Sequence, residues 1–276
     1  VINGATRVAA VIGSPVHHSL SPALHNAAFE QLGLDWVYVA LHVPDGMVAQ
    51  ALDAMRLFDL GGLSVTMPHK EQAAAMVDGL DPAAAALRSV NTVVPQANGS
   101  LEGHSTDGAG FVASLQADGH SVSGASVCLL GAGGAARAIA DALARAGAER
   151  VTVVNRTAAS AHTTAELAGS VGRVGREDDI REASIVVNAT SVGMGGDEMP
   201  CDPALFRPGQ VVADIVYHPR DTALLRAARA AGAVTVDGLG MLVHQAALQQ
   251  QLWHGILPDV AVMAAAAERE LAARRQ

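Results

Sequence analysis

The chain reads as an α/β protein of two domains, the second a doubly wound parallel sheet, on three observations. Strand-like and helix-like patterns alternate along almost all of its 276 residues, the arrangement that builds parallel sheets covered by helices. A short apolar run, Val127–Leu130, meets Gly131, Gly133 and Gly134 and opens directly into an Ala-rich helical pattern. A second strand pattern, Val151–Val154, follows that helix. In this order the glycines let backbone N–H groups at a helix N-terminus come close to a pyrophosphate, so the unit is of the dinucleotide-binding, Rossmann type.

The elements follow in order. Val8–Ile12 is a buried strand, apolar throughout and stopped by Gly13 and Pro15. Ser21-Pro22 marks a helix start, with Ser21 at the N-cap and proline in the first turn, and this helix runs to about Leu32. Trp36–His42 is a strand, Asp45–Phe58 a helix, Gly62–Val65 a strand and Lys70–Val77 a helix. Two helical turns over Ala83–Arg88 precede a strand pair, Thr92–Pro95 and Leu101–His104, joined by an Asn98-Gly99 turn. The second domain opens with a helix over Asp107–Asp118. Beyond the glycine turn come a helix over Ala135–Ala146, the Val151 strand, a helix over Ala159–Leu167, and strands at Ile185–Asn188 and Val211–Val216. A helix over Thr222–Ala231 and a strand at Val234–Val236 complete it, and the Ala-rich stretch Met241–Leu271 is helical by composition. No repeat or low-complexity linker intervenes, so short connections join the domains.

Composition narrows the function classes. Half of the residues are hydrophobic and 16% are charged, which supplies a substantial core and excludes a disordered chain. No apolar run reaches the roughly 18 residues that span a bilayer, and a basic-then-apolar signal pattern is absent from the first residues. A net charge of −9 argues against a nucleic-acid partner. Two cysteines do not make a disulfide framework, and Cys128 lies inside a strand as a small buried residue. Eleven histidines invite a metal site, but His17, His18 and His25 lack zinc-ligand spacing, so no metal is expected. Together these features predict a cytoplasmic protein with no membrane or nucleic-acid partner; a small-molecule substrate and a monomer or homodimer are further expectations.

The cofactor is legible after the second strand. NAD-binding units usually place an acidic residue about 20 positions past the glycines, to hold the ribose 2′-hydroxyl. Here the strand ends in Asn155-Arg156-Thr157. No carboxylate stands there to repel a 2′-phosphate, and a guanidinium is available to pair with one. NADP(H) is therefore expected, held by Gly131, Ala132, Gly133, Gly134, Ala135, Asn155, Arg156 and Thr157.

Several further stretches carry polar residues on connections: Gly13 to Pro22 with Ser19 and Ser21, Ser64-Val-Thr66-Met-Pro68-His-Lys70, Val90-Asn91-Thr92, Ser105-Thr106-Asp107-Gly108, and Asp237 to Gln245. In these stretches, in the glycine turn through Arg137 and in Asn155-Arg156-Thr157, the chain resembles shikimate dehydrogenases along nearly its whole length. The resemblance implies reversible reduction of 3-dehydroshikimate to shikimate with NADPH. It implies a substrate-binding domain at 1–106 and 242–276, an NADP-binding domain at 107–241, and a cleft between them. It also implies that the last helices return to the substrate domain, and it adds Thr190, Ile215 and Gly238 to the cofactor contacts.

Hydride transfer to a ketone leaves a developing alkoxide, which needs a proton donor or a positive charge within reach. Lys70 is the candidate, either as full proton donor or as electrostatic clamp, with Asp107 holding its ammonium in place. The resemblance implies that Ser19 and Ser21 bind the substrate carboxylate. It implies that Thr66, Asn91 and Gln245 bind ring hydroxyls, with Tyr217 nearby. Two departures stand out. Ser64 replaces an asparagine common in the family, and His104-Ser105 replaces Asp-Asn. Both shorten polar side chains near the reacting hydroxyl, which enlarges the pocket or admits a water. A dehydrogenase acting on both quinate and shikimate is the nearest alternative. A non-catalytic sensor of NADP(H) and a ring acid is the alternative from another class, opposed by the intact Lys70 and Asp107.

Overall fold

Two six-stranded sheets organise the protein in the computed structural model, which describes residues 2–274. Each belongs to its own compact unit. One runs to Thr106 and resumes at Gln245, three residues later than the boundary expected from sequence; the other is Asp107–His244.

The first unit contains β1 (Arg7–Gly13), α1 (Ser21–Gln31), β2 (Trp36–His42), α2 (Val48–Leu57), β3 (Gly62–Val65), α3 (Lys70–Met76), β4 (Gly79–Leu80), α4 (Pro82–Leu87), β5 (Thr92–Pro95) and β6 (Leu101–His104). Its sheet order is β2-β1-β3-β5-β6-β4. β1 pairs in parallel with β2 and β3, while β5 is antiparallel to β3 and β6. From Ala9 onward β1 is apolar and buried because both faces are covered. Ala10 and Ile12 pack with Leu52, Met55, Leu63 and Val65, and Ala9 and Val11 pack with Phe29, Tyr38 and Trp253. Gly62 is a close-approach glycine, since a Cβ there would stand 2.3 Å from the Trp253 ring. β4 adds to the expected elements. It is a two-residue edge strand on β6, too short to show any periodicity.

The second unit contains α5 (Asp107–Ala117), β7 (Ser126–Leu130), α6 (Gly134–Arg145), β8 (Arg150–Val154), α7 (Ala158–Leu167), β9 (Gly172–Val174), β10 (Ile185–Asn188), β11 (Val211–Asp214), α8 (Ala223–Ala230) and β12 (Val234–Val236). All its strand pairs are parallel, in the order β12-β11-β10-β7-β8-β9. That is the doubly wound order, with the strand sequence reversing between β7 and β10. β9 is an unexpected edge strand, and β11 stops two residues short of the expected Val216. Gly108 seats α5 on α6: a Cβ there would meet the Ala138 carbonyl at 2.1 Å. Cys128 and Cys201 are free thiols, buried in one core cluster, and burial pushes each up to about 12.

The long helical stretch expected near the end is two helices, α9 (Gly238–His254) and α10 (Val260–Ala273). Gly255, with φ +82°, ends the first, and Asp259 caps the second by accepting from Ala261 N. α10 packs on α1. Among the described residues no helix is long and apolar enough to cross a membrane.

Candidate active site

In the first unit the polar residues gather where the parallel strands end. β1 stops at Gly13 and β3 at Val65, while β5, running antiparallel to β3, begins on the same edge. Thr66 leaves β3 with its N–H donating to the Ile12 carbonyl at 2.9 Å. Its methyl group lies against Gly13, where a Cβ would stand 2.5 Å away. Lys70 heads α3, and its carbonyl accepts from Val90 N at 3.0 Å, tying the lysine's turn to the chain that carries Asn91.

Asn91 is buried and its side chain is fully oriented. Its Oδ1 accepts from Thr106 N at 2.9 Å and from Thr92 Oγ1 at 2.8 Å, and its Nδ2 donates to Thr106 Oγ1 at 2.9 Å. Thr106 Oγ1 donates onward to the Gln245 carbonyl at 3.2 Å. Two residues expected at the substrate, Asn91 and Gln245, are thus held by one threonine.

Ser21 departs from its expected local role. Leu20 occupies the N-cap position of α1 without a side-chain cap, and Ser21 is the first helical residue. The buried Leu20 already has helical backbone angles, and its carbonyl accepts from Ala23 N and Leu24 N. The Ser21 hydroxyl is therefore not spent on capping; it is a polar neighbour of the Tyr38 phenol. Ser21 N donates to Ser19 Oγ at 3.2 Å. Arg274, at the end of α10, donates to the carbonyls of His18 at 2.6 Å and Ser19 at 3.1 Å and so fastens this loop.

The departures from the family pattern are also placed. Ser64 is buried, its hydroxyl donating to Gln249 Oε1 at 2.7 Å and accepting from Tyr38 Oη at 2.7 Å. The Ser64 hydroxyl is thus bonded to two protein groups. The His104 ring lies 3.8 Å from Asp81 Oδ2 and 3.5 Å from Glu102 Oε2. Tyr38 stacks on His25 with ring centroids 4.1 Å apart. Burial pushes the phenol well above the usual tyrosine value and lowers His25 to about 3, so both rings stay neutral. Sequence reasoning does not single out Tyr38 or Gln249. Their only signals are a polar aromatic inside an apolar strand and a glutamine one turn beyond Gln245.

In the second unit the expected cofactor residues line the carboxyl edge of the sheet, where parallel α/β sheets bind ligands. Gly131 follows β7 with φ +111°, and a Cβ there would press on the Ala189 carbonyl and Thr190 Cγ2 at 2.9 Å. Gly133 and Gly134 face open space, with nothing within 4 Å of an added Cβ. Gly133 is the N-cap of α6 and offers no side-chain cap, which leaves the first-turn N–H groups, Ala135 included, aimed at that opening. This cradle fits a pyrophosphate. Arg156 and Thr157 are exposed after β8, and Asn155 Nδ2 donates to the Thr157 carbonyl at 3.1 Å.

Thr190 is oriented by Asn188, whose Oδ1 accepts from Thr190 N at 3.1 Å and Oγ1 at 2.7 Å. Asn188 Nδ2 donates to Asp214 Oδ1 at 2.9 Å, and Asp214 Oδ2 accepts from Thr222 Oγ1 at 2.7 Å. Burial raises the Asp214 carboxyl above the usual range against the pull of these bonds. Ile215 N donates to the Asn188 carbonyl, and a Cβ on Gly238 would stand 2.3 Å from the Ile215 carbonyl, so only glycine permits this approach. Asp107 heads α5, and the half-buried Tyr217 follows β11.

Three family models match in chain order: the shikimate dehydrogenase substrate binding domain over residues 11–93, shikimate/quinate 5-dehydrogenase over 113–194, and the shikimate 5′-dehydrogenase C-terminal domain over 238–268. A protein named shikimate dehydrogenase (NADP(+)) from Rubrobacter xylanophilus is 45% identical over 271 residues, 95% of each chain. The chain belongs to the shikimate dehydrogenase family. The shikimate 5-dehydrogenase of Thermus thermophilus, solved in complex with NADP(H) and shikimate, is 42% identical with a TM-score of 0.90, over 95% of this chain and 99% of that one. The ligand-free 5-ketofructose reductase of Gluconobacter sp. strain CHM43 is 33% identical with a TM-score of 0.90, over 97% and 99%. The shikimate dehydrogenase fold is thus shared with an enzyme named for a different ketone.

Proposed function

We propose that the protein is an NADP-dependent shikimate dehydrogenase, reversibly reducing 3-dehydroshikimate to shikimate. The observation that carries this reading is similarity over nearly the whole chain to proteins named shikimate dehydrogenase (NADP(+)) or solved with NADP(H) and shikimate. In this reading Ser19 and Ser21 bind the substrate carboxylate, and Thr66, Asn91, Gln245 and Tyr217 surround the ring. Gly131, Ala132, Gly133, Gly134 and Ala135 cradle the pyrophosphate. Asn155, Arg156 and Thr157 read the 2′-phosphate, and Thr190, Ile215 and Gly238 complete the dinucleotide site. NADPH supplies the hydride that reaches the carbonyl carbon. Lys70 meets the negative charge developing on the carbonyl oxygen and either donates a proton to it or stabilises the alkoxide electrostatically, while Asp107 orients the lysine.

The test is direct: protein mixed with NADP+ and shikimate should generate the reduced-nicotinamide absorbance band. A panel of shikimate, quinate and, in the reducing direction, 5-ketofructose separates the related activities. Quinate carries an added hydroxyl at the carbon bearing the carboxylate, so the Ser19/Ser21 end must tell it from shikimate. A site that hydrogen-bonds its ligand discriminates more strongly than one that only fits its shape. The paired serines support a higher kcat/KM for shikimate. Faster oxidation of quinate under matched conditions would place the enzyme with quinate-using relatives. Turnover of 5-ketofructose alone would overturn the substrate reading.

A further inference from the structure

Ser64 has a fixed polarity. A serine hydroxyl offers one proton and two lone pairs. The proton of Ser64 goes to Gln249 Oε1 at 2.7 Å, and one lone pair accepts from Tyr38 Oη at 2.7 Å. The Gln249 amide cannot be turned to relieve this, because its Nε2 donates to the Asn91 carbonyl at 3.3 Å. Rotation would set two acceptor oxygens against each other there. Ser64 and Gln249 are 5% and 3% exposed, so water does not compete for these bonds.

We propose that Gln249 is a positioning residue for this reaction: by taking the Ser64 proton while Tyr38 fills one lone pair, it leaves Ser64 an acceptor-only contact for one ring hydroxyl of the substrate. The proposal rests on the shikimate dehydrogenase reading of the site. An asparagine, common in the family at this position, offers both an N–H donor and a carbonyl acceptor. The Ser64 arrangement offers only an acceptor, and so selects ring acids that present a hydroxyl proton there. A substituent of similar size that can only accept would meet a lone pair and leave Ser64 unsatisfied.

The test uses the intact enzyme with shikimate and with analogues in which each ring hydroxyl that is not oxidised is replaced in turn by fluorine. One analogue should lose at least about 10-fold in kcat/KM on the wild-type enzyme. Gln249→Leu releases the Ser64 proton to point at the ligand, and the discrimination against that analogue should fall to within about 3-fold. Tyr38→Phe keeps the ring on His25 and leaves the Ser64 proton on Gln249, so the discrimination should persist. Should Gln249→Leu fail to fold, Ser64→Ala tests the same contact and should also abolish the discrimination. If Gln249→Leu lowers the melting temperature but retains the full discrimination, its role is structural and the proposal is overturned. A wild type that oxidises shikimate but treats all the analogues alike overturns the inference alone. A wild type inert towards shikimate overturns the reading of the site and the inference with it.

Discussion

Lys70→Ala should lower kcat about 100-fold or more, the scale of a positioned acid–base group, while moving KM for shikimate much less. That loss corresponds to about 2.7 kcal/mol of transition-state stabilisation. The split follows from where the charge is needed. The ground-state hydroxyl and carbonyl are both neutral, and only during hydride transfer does the oxygen carry the negative charge that the ammonium meets. The variant should fold, because Lys70 contributes its carbonyl to the bond with Val90 N, which alanine keeps, and alanine suits the first turn of α3. Steady-state rates with saturating NADP+ check this. Retention of most of the wild-type turnover would remove Lys70 from the mechanism.

The second large effect is on cofactor choice. Arg156→Ala should weaken NADP+ binding by roughly 1.5–3 kcal/mol, the worth of a hydrogen bond to a charged group, and leave NAD+ binding almost unchanged. Arg156 is exposed in the turn after β8, and no acidic residue lies within Asn155-Arg156-Thr157. The substitution removes a charge without disturbing a core. Titration of each dinucleotide against variant and wild type provides the measurement. Equal losses for NADP+ and NAD+ would show that Arg156 does not read the 2′-phosphate.

The features legible from sequence share one property: they depend on residues close together in the chain. The apolar run into Gly131, Gly133 and Gly134 predicts β7, the turn and α6 because a strand end, a positive-φ residue and a helix start must be contiguous. Lys70 and Asp107 are placed at helix starts by their own segments. β4 and β9 are not legible, because strands of two and three residues on sheet edges have no room for a pattern. The N-cap falls at Leu20 rather than Ser21, since the leucine backbone is already helical and its carbonyl accepts the first bonds of the helix, which the serine side chain alone does not reveal.

By itself, then, the sequence determined the α/β class, the dinucleotide turn, the absence of a carboxylate after β8 and the candidate chemistry of Lys70 and Asp107. Only tertiary structure decided what those polar residues lean on. Ser64 and Gln249 are 185 positions apart, Tyr38 and Ser64 are 26 apart, and Thr106 reaches Gln245 across 139. No local periodicity couples such positions. They meet because β2 and β3 pair on either side of β1 while α9 lays Trp253 on Gly62, and Tyr38, Ser64 and Gln249 are buried among these elements. For hydroxyls buried in this way, the direction follows from the neighbours rather than from the place in the chain.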